Sequence, residues 1–166
     1  MFKIVGSIVV IFTCTMIGFE KSKEMTKHRK ELEELQRIFT RIQTELEYMS
    51  TPFGELFLKI QSKTEGKYKR WMQDISREIN IRHKRTFEEI WNTTIDIHFK
   101  DTFLTHSELE ELKQIGKNIS HKEALALFLT QIELFIQYTR EEEKTKKKLY
   151  QSMGIMTGIF LVIVLI

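Results

Sequence analysis

The sequence predicts an all-α protein: an antiparallel bundle of about six helices between two transmembrane helices. Three observations support this fold class. Apolar residues recur at helical spacing through the middle of the chain, the 166 residues include one Pro and seven Gly, and an apolar segment lies at each end. We therefore expect an N-terminal transmembrane anchor at residues 1–19, a helical bundle at 20–148 and a C-terminal transmembrane helix at 149–166.

Each terminal segment has the length of a membrane span. Residues 2–19 and 149–166 are largely apolar, and 18 helical residues cover about 27 Å of a bilayer core about 30 Å thick. The alternative for the first segment is a cleaved signal peptide, but no small-x-small cleavage site follows it. The alternative for the second is a tail that enters the membrane without crossing it. Two anchors are the favoured interpretation.

Basic residues predict the orientation of the chain. Of the 26 Lys and Arg residues, only Lys3 lies outside residues 20–148. Nine of them flank the inner ends of the apolar segments: Lys21, Lys23, Lys27, Arg29, Lys30, Lys144, Lys146, Lys147 and Lys148. Because Lys and Arg near a membrane span stay on the cytoplasmic side, we expect a two-pass cell-membrane protein with its bundle in the cytoplasm. The small net charge of +3 argues against nucleic acid as a partner.

Two long helices are predicted to pair within the bundle. Between Glu31 and Met49 the apolar residues follow a three-four spacing on one seam: Leu32, Leu35, Phe39, Ile42, Leu46 and Met49. The stretch after Ser120 repeats that spacing at Leu125, Phe128, Ile132 and Phe135. Because both helices lead to the same membrane, we expect them to be antiparallel. The alternative is ordinary amphipathic packing with no special role, since periodicity indicates burial and carries no information about chemistry.

A structural turn is predicted where the first long helix ends. Glu47, Thr51 and Pro52 form it, with the Thr51 hydroxyl capping the second helix and Pro52 at its first helical position. Replacing Thr51 by Ala is expected to cost about 1 kcal/mol.

Four shorter helices are expected between the two long ones. The second carries Phe53 to Ile60, Gly66 precedes the third, and the fourth, after Asn80, bears Phe87 and Trp91. Their aromatic residues fall on apolar faces, so we expect them in the core. Residues 98–106 are predicted to be a loop. A capping box from Thr105 to Glu108 begins the fifth helix, Gly116 ends it, and a second capping box from Ser120 to Glu123 begins the last helix.

The sequence contains no recognisable catalytic or metal site. Gly66-Lys67 and Gly116-Lys117 lack the spacing of a phosphate-binding loop. His106 with Glu110, and Asp96 with His98, each offer only two ligands, which do not make a metal site. We therefore expect no catalytic residue, no metal, no cofactor and no enzymatic activity.

One transmembrane packing motif is present in the C-terminal apolar segment. Gly154 and Gly158 lie one helical turn apart, so that another helix could approach closely at this face. The alternative is a chance occurrence, because glycine is common in membrane helices.

Four stretches, in order along the chain, resemble the stage III sporulation protein AB family. They are Ile17-Gly18-Phe19, Leu46 to Pro52, Leu109 to Gly116, and Lys148 to Gly154 before the apolar tail. The spacing of Glu47, Thr51 and Pro52, and that of Tyr150 and Gly154, are the most specific parts. The chain departs from the family pattern where Ser120 and His121 follow Gly116 in a shortened loop, so a partner contact of that loop is in question.

The resemblance implies a helical domain similar to the cytoplasmic domains of the platform protein of type II secretion and type IV pilus machines. It also implies a non-enzymatic membrane platform subunit of the channel complex between mother cell and forespore, located in the mother-cell membrane around the forespore. The implied partners are the stage III sporulation protein AA ATPase and other stage III sporulation channel proteins. The alternative function is a membrane-anchored helical sensor or scaffold that relays a signal. We expect the ATPase to dock at the end of the bundle near Thr51 and Ser120.

Overall fold

A computed structural model describes residues 2–48, 52–81 and 85–165. Within the helices, the side chains of residues 2–12, 14, 15, 48, 151, 154, 158, 161, 162, 164 and 165 lie outside this description. The described residues form six helices and no strand, which confirms the all-α fold class. The helices are α1 (Phe2–Tyr48), α2 (Phe53–Gln61), α3 (Gly66–Asn80), α4 (Phe87–His98), α5 (His106–Asn118) and α6 (Lys122–Leu165).

The chain divides into two compact units. The terminal unit comprises Met1–Lys30 and Phe135–Ile166, and the central unit comprises Glu31–Leu134. These boundaries differ from those predicted at residues 19 and 148. The predicted boundaries separate the anchors from the bundle by hydropathy, and they stay a prediction. Helices α1 and α6 each contribute residues to both units, and α2 to α5 belong to the central unit.

The core of the central unit is built on the predicted seam of α1. Leu32, Leu35, Phe39 and Ile42 are buried, as their spacing predicts, whereas Leu46 is only half-buried and Met49 lies outside the described residues. The ring of Phe39 packs edge-on against Phe128 of α6 at 4.6 Å between centroids. This contact confirms that the two seams pack against each other.

Two tryptophans occupy the centre of the central unit. Trp71 of α3 and Trp91 of α4 are both fully buried, with their ring centroids 4.9 Å apart. Each buried indole N–H has an acceptor: Trp71 donates to Thr94 Oγ1 at 3.2 Å, and Trp91 donates to the Leu112 carbonyl at 2.8 Å. The prediction of an aromatic core is confirmed here, because the polar atom of each indole is satisfied.

Side-chain caps define the starts of α4 and α5. The predicted capping box of α5 is confirmed: the Glu108 N–H donates to Thr105 Oγ1, and the Thr105 N–H donates to Glu108 Oε2 at 2.7 Å. The same reciprocal pair joins Thr86 and Glu89 at α4, which the sequence analysis did not identify. Both caps satisfy backbone donors that have no partner within the helix.

Three predicted helix boundaries are wrong. Helix α5 continues through Gly116 to Asn118, because Gly116 packs against another helix rather than ending its own. Helix α6 begins at Lys122, so Ser120 lies in the turn before it and is not its cap. Pro52, with ψ of 144°, is the N-cap of α2 instead of its first helical residue. The cap predicted on Thr51 lies outside the described residues.

In the terminal unit, α1 and α6 are antiparallel. Glu143 of α6 accepts hydrogen bonds from Thr26 Oγ1 at 2.6 Å and from Arg29 Nε at 2.7 Å. Earlier on α1 and later on α6, Ile17 and Met153 line the same groove. An earlier residue of one helix therefore pairs with a later residue of the other, which confirms the predicted antiparallel arrangement.

Across the part of the chain that the structure describes, no helix is both long and apolar enough to span a membrane. The two predicted anchors fall largely on side chains outside that description, in residues 2–12 and in part of 149–166. Both anchors therefore stay predictions.

Candidate partner-docking cleft

A cleft of about 490 Å³ opens in the central unit where four helices end. It lies among the N-terminal ends of α2 and α4 and the C-terminal ends of α3 and α5. Apolar residues form its floor: Phe53, Ile79, Phe87, Ile90 and Ile119. Polar residues form its rim: Glu78, Arg85, Glu88, Lys117 and Ser120. We call this site the end cleft.

The floor of the end cleft is held in place by aromatic packing. The Phe87 ring lies 5.5 Å from Phe53 and 5.9 Å from Phe57, and its other neighbour is the buried Trp91 at 5.7 Å. The Thr86 capping box begins α4 one residue earlier and so fixes the position of Phe87. Phe53 and Phe87 are nevertheless only half-buried, which corrects the prediction that both belong to the core. The floor is a preformed apolar surface that water reaches.

Close packing behind the floor depends on Gly116. A Cβ atom at Gly116 would lie 2.2 Å from Cδ1 of Trp91, far inside van der Waals contact. The missing side chain allows α5 to approach the indole, and the indole in turn donates its N–H to the Leu112 carbonyl of the same helix. Gly116 therefore joins α4 to α5 at the base of the end cleft.

The rim carries charges of both signs. Lys117 Nζ and Glu88 Oε1 form an exposed ion pair across the cleft edge at 3.1 Å. Arg85 and Glu78 form no ion pair with any residue that the structure describes. Arg85 is exposed and Glu78 is half-buried. The rim thus offers one cation and one anion to a partner surface, beside an apolar floor.

Elsewhere in the central unit, the carboxylate of Glu31 binds a loop to two helices. Its carboxylate accepts hydrogen bonds from Lys67 Nζ at 2.6 Å, from the Phe103 N–H at 3.3 Å and from the hydroxyl of Thr102. It therefore fastens the loop after α4 to α1 and α3. Burial, followed by the charge of Glu31, raises the pKa of the nearby Tyr68 phenol well above its ordinary value, so Tyr68 stays neutral.

The structure gives Asp96 and His98, one of the two pairs weighed as metal ligands, different partners. His98 Nε2 lies 2.7 Å from Oδ2 of Asp74 on α3, and Asp96 instead pairs with Lys113 of α5 at 2.9 Å. Lys113 is also 3.7 Å from Glu110, and the hydrogen bond to Asp96 raises its pKa. Within the described ranges no group of three His, Cys, Asp or Glu residues is placed to hold a metal ion.

The structure describes the remaining predicted site residues only in part, so the calls made on them stay predictions. Glu47 is exposed near the end of α1, Pro52 is exposed at the start of α2, and Thr51 lies outside the described residues. Gly154 and Gly158 are in α6, but their surroundings also lie outside the description, so the packing motif stays a prediction.

Some residues that line the end cleft lie near the predicted docking end, and others had no predicted role in docking. Ser120, which was expected near the docking end, lines the cleft, and Phe53 follows Thr51 by two residues. Phe87, Arg85 and Glu78 were not assigned any role in docking. The Thr86-x-x-Glu89 spacing is a local signal that would have located the start of α4 and the residues beside it.

Comparisons with known proteins give a consistent family. The family model described as stage III sporulation protein AB (spore_III_AB) matches residues 3–166. A solved structure of stage III sporulation protein AB (SpoIIIAB) superimposes with a TM-score of 0.65 at 17% sequence identity, covering 72% of this chain and 98% of that chain. That likeness supports the fold alone. No curated protein matches the chain. Because the family model spans almost every residue, the chain belongs to the stage III sporulation protein AB family.

Proposed function

We propose that this sporulation protein is a non-enzymatic membrane platform subunit of the channel complex between mother cell and forespore. In this proposal the central unit docks the secretion-type ATPase, stage III sporulation protein AA, and the chain links it to membrane channel components. Membership of the family supports the sporulation role. The similarity to platform proteins of type II secretion machines, implied by the family resemblance, supports the choice of an ATPase as partner.

The membrane part of the proposal rests on the apolar ends of the sequence. Residues 2–19 and 149–166 have the length of a bilayer span, and basic residues flank their inner ends. The long helix α1 begins at Phe2 and α6 continues to Leu165, so both are helical in these segments as far as the structure describes them. We therefore place the two anchors in the mother-cell membrane around the forespore, with the central unit in the cytoplasm.

The end cleft is the observation that carries ATPase docking. Protein interfaces commonly combine an apolar centre that excludes water with a polar rim, and a few anchors supply most of the affinity. The half-buried rings of Phe53 and Phe87 provide such a centre, and Arg85 and Glu78 provide rim charges that form no ion pair with a described residue. An apolar side chain of the partner, flanked by charged residues, fits this arrangement.

A charge reversal tests docking without disturbing the core. Purified full-length chain in detergent is titrated with stage III sporulation protein AA, and Arg85→Glu is compared with Arg70→Glu. Both arginines are exposed in the central unit, but Arg70 does not line the cleft. We expect Arg85→Glu to weaken binding about tenfold or more and Arg70→Glu to leave it unchanged. Absence of binding by the unaltered chain, or an equal loss in both variants, contradicts the proposal.

Topology is tested in whole cells with a tag in the loop at Glu65. That loop precedes α3 and Glu65 is exposed. Protection of the tag from protease until the membrane is broken supports a cytoplasmic central unit. Cleavage in intact cells places the unit outside the cytoplasm and excludes the ATPase as a direct partner.

A second candidate function is a membrane-anchored helical scaffold or sensor that acts as a dimer. Leu127 and Leu134 of α6 are 72% and 59% exposed and lie one heptad apart on the same helix face. A second copy of the chain is the occupant that this repeating spacing fits. Light scattering of the detergent-solubilised chain, with and without Leu127→Asp, distinguishes a dimer at this face from a monomer.

A further inference from the structure

A second, strongly basic cleft lies in the terminal unit. It has a volume of about 810 Å³ and is lined by Arg29 of α1 and by Arg140, Glu143, Lys144, Lys147 and Lys148 of α6. Five of its six lining residues are basic and one is acidic. We call this site the basic cleft.

The one acidic residue that lines the basic cleft already has hydrogen-bond and ion-pair partners within the chain. One oxygen of Glu143 accepts from Thr26 and the other accepts from Arg29, and Lys147 Nζ lies 3.8 Å away. Burial acts to raise the Glu143 pKa, but these hydrogen bonds and the neighbouring charges lower it overall, so the carboxylate is ionised at neutral pH. Its single charge is distributed among several cations and leaves the basic cleft with a positive excess.

Two lysines of the cleft lack an ion-pair partner among the residues that the structure describes. Lys144 and Lys148 are exposed and form no ion pair with any described residue, and they lie four residues apart on α6. Like charges at this spacing repel each other on a helix face. By contrast, Lys146, on the opposite side of the helix, pairs with Glu142. An external anion bound between Lys144 and Lys148 would remove this repulsion.

The position of the cleft indicates which anion it binds. Lys148 is followed directly by Leu149 and a largely apolar stretch of sequence, and α6 continues without a break to Leu165. A lipid with a phosphodiester headgroup would place its negative charge at the lysines and its acyl chains beside this apolar stretch. We infer that the basic cleft binds the phosphate headgroup of an anionic phospholipid. The choice of a lipid over a soluble phosphate rests on the membrane anchors of the proposed function.

The test measures ligand binding to the full-length chain in neutral detergent micelles by native mass spectrometry. The probes are dihexanoyl-phosphatidylglycerol, dihexanoyl-phosphatidylcholine and inorganic phosphate. The cleft variant is Lys144→Gln with Lys148→Gln. The matched control is Lys23→Gln with Lys30→Gln, which removes the same charge from exposed residues of the terminal unit that do not line the cleft.

We expect phosphatidylglycerol to bind at least about tenfold more tightly than phosphatidylcholine. The cleft variant should lose affinity for phosphatidylglycerol on the order of twentyfold, roughly fivefold for each lysine, while the control variant retains it. Equal losses in both variants would show diffuse charge attraction and overturn the site. Equal affinity for the two lipids would also overturn it.

Two further outcomes distinguish a lipid site from a soluble-phosphate site and from ATPase docking. Inorganic phosphate that binds as tightly as phosphatidylglycerol would overturn the lipid assignment and leave a soluble-phosphate site. A variant that fails to fold does not decide the outcome, because the comparison of the three probes uses the unaltered chain. Failure of ATPase binding through Arg85 leaves every lipid measurement unchanged, so the two proposals fail independently.

Discussion

Replacing Gly116 by alanine inserts a methyl group where the indole of Trp91 lies. The added Cβ would be 2.2 Å from Cδ1, 2.6 Å from Cγ and 2.8 Å from Nε1 of that ring. Because Trp91 is fully buried, the ring or α5 must move, and overpacking of this kind costs about 1–3 kcal/mol. Displacement of the ring also weakens its hydrogen bond to the Leu112 carbonyl, at about 1–3 kcal/mol for a buried donor.

The higher helix propensity of alanine offsets about 1 kcal/mol of that cost. We therefore expect Gly116→Ala to lower the free energy of unfolding by about 3 kcal/mol, within a range of about 1–5 kcal/mol, and the Tm by about 6–12 °C. Thermal unfolding of the full-length chain in detergent, followed by tryptophan fluorescence, measures this change through the adjacent buried rings of Trp71 and Trp91.

Gly54→Ala is the matched control. It is also a buried helical glycine, but its added Cβ meets Oδ1 of Asn80 at 2.8 Å, the end of an exposed and flexible side chain that can move away. We expect a change within about 1 kcal/mol. A Gly116→Ala variant as stable as the unaltered chain would refute the reasoning, since it would mean that the close approach of α5 to Trp91 is not required.

Four further predictions concern single polar groups. Thr105→Ala should cost about 1 kcal/mol in a urea titration through loss of the α5 capping box, and Thr51→Ala in the same assay tests the cap predicted at α2. Glu31→Gln should cost about 1–3 kcal/mol by removing the half-buried ion pair with Lys67, and an unchanged urea midpoint would contradict that role. Glu143→Gln should destabilise the chain at neutral pH; because the folded pKa is lowered from 4.5, the difference in Tm should disappear as the pH falls below that value.

The structure also restricts what the end cleft could be. Its charged residues lie on the rim, and its floor consists of aromatic and aliphatic side chains. This chemistry favours recognition of another protein surface, where apolar anchors supply affinity and rim charges supply orientation. The basic cleft differs in kind, since five cations surround one committed acid there. One chain therefore presents two surfaces suited to two different classes of partner.

Local patterns in the sequence were sufficient for the helices themselves. The seam of Leu32, Leu35 and Phe39 is buried as its spacing predicts, and the Thr105 capping box begins α5 where the sequence places it. Both signals lie within a few neighbouring residues, and the period of the α-helix converts them directly into a buried face or a capped end. The long α1 likewise follows from the absence of Gly and Pro between Phe19 and Met49.

Only the tertiary structure shows which residues of different helices contact one another. A glycine after an apolar helical stretch is typical of a helix end. Gly116 instead packs against Trp91, which lies 25 residues earlier in the sequence and on another helix. The end cleft depends on four helix ends meeting, and the pairing of Arg29 with Glu143 joins residues 114 positions apart. Such contacts depend on distances in space between segments that are remote along the chain. Helix periodicity and capping signals are local, so they determine where the helices form, and only packing determines which of their residues meet.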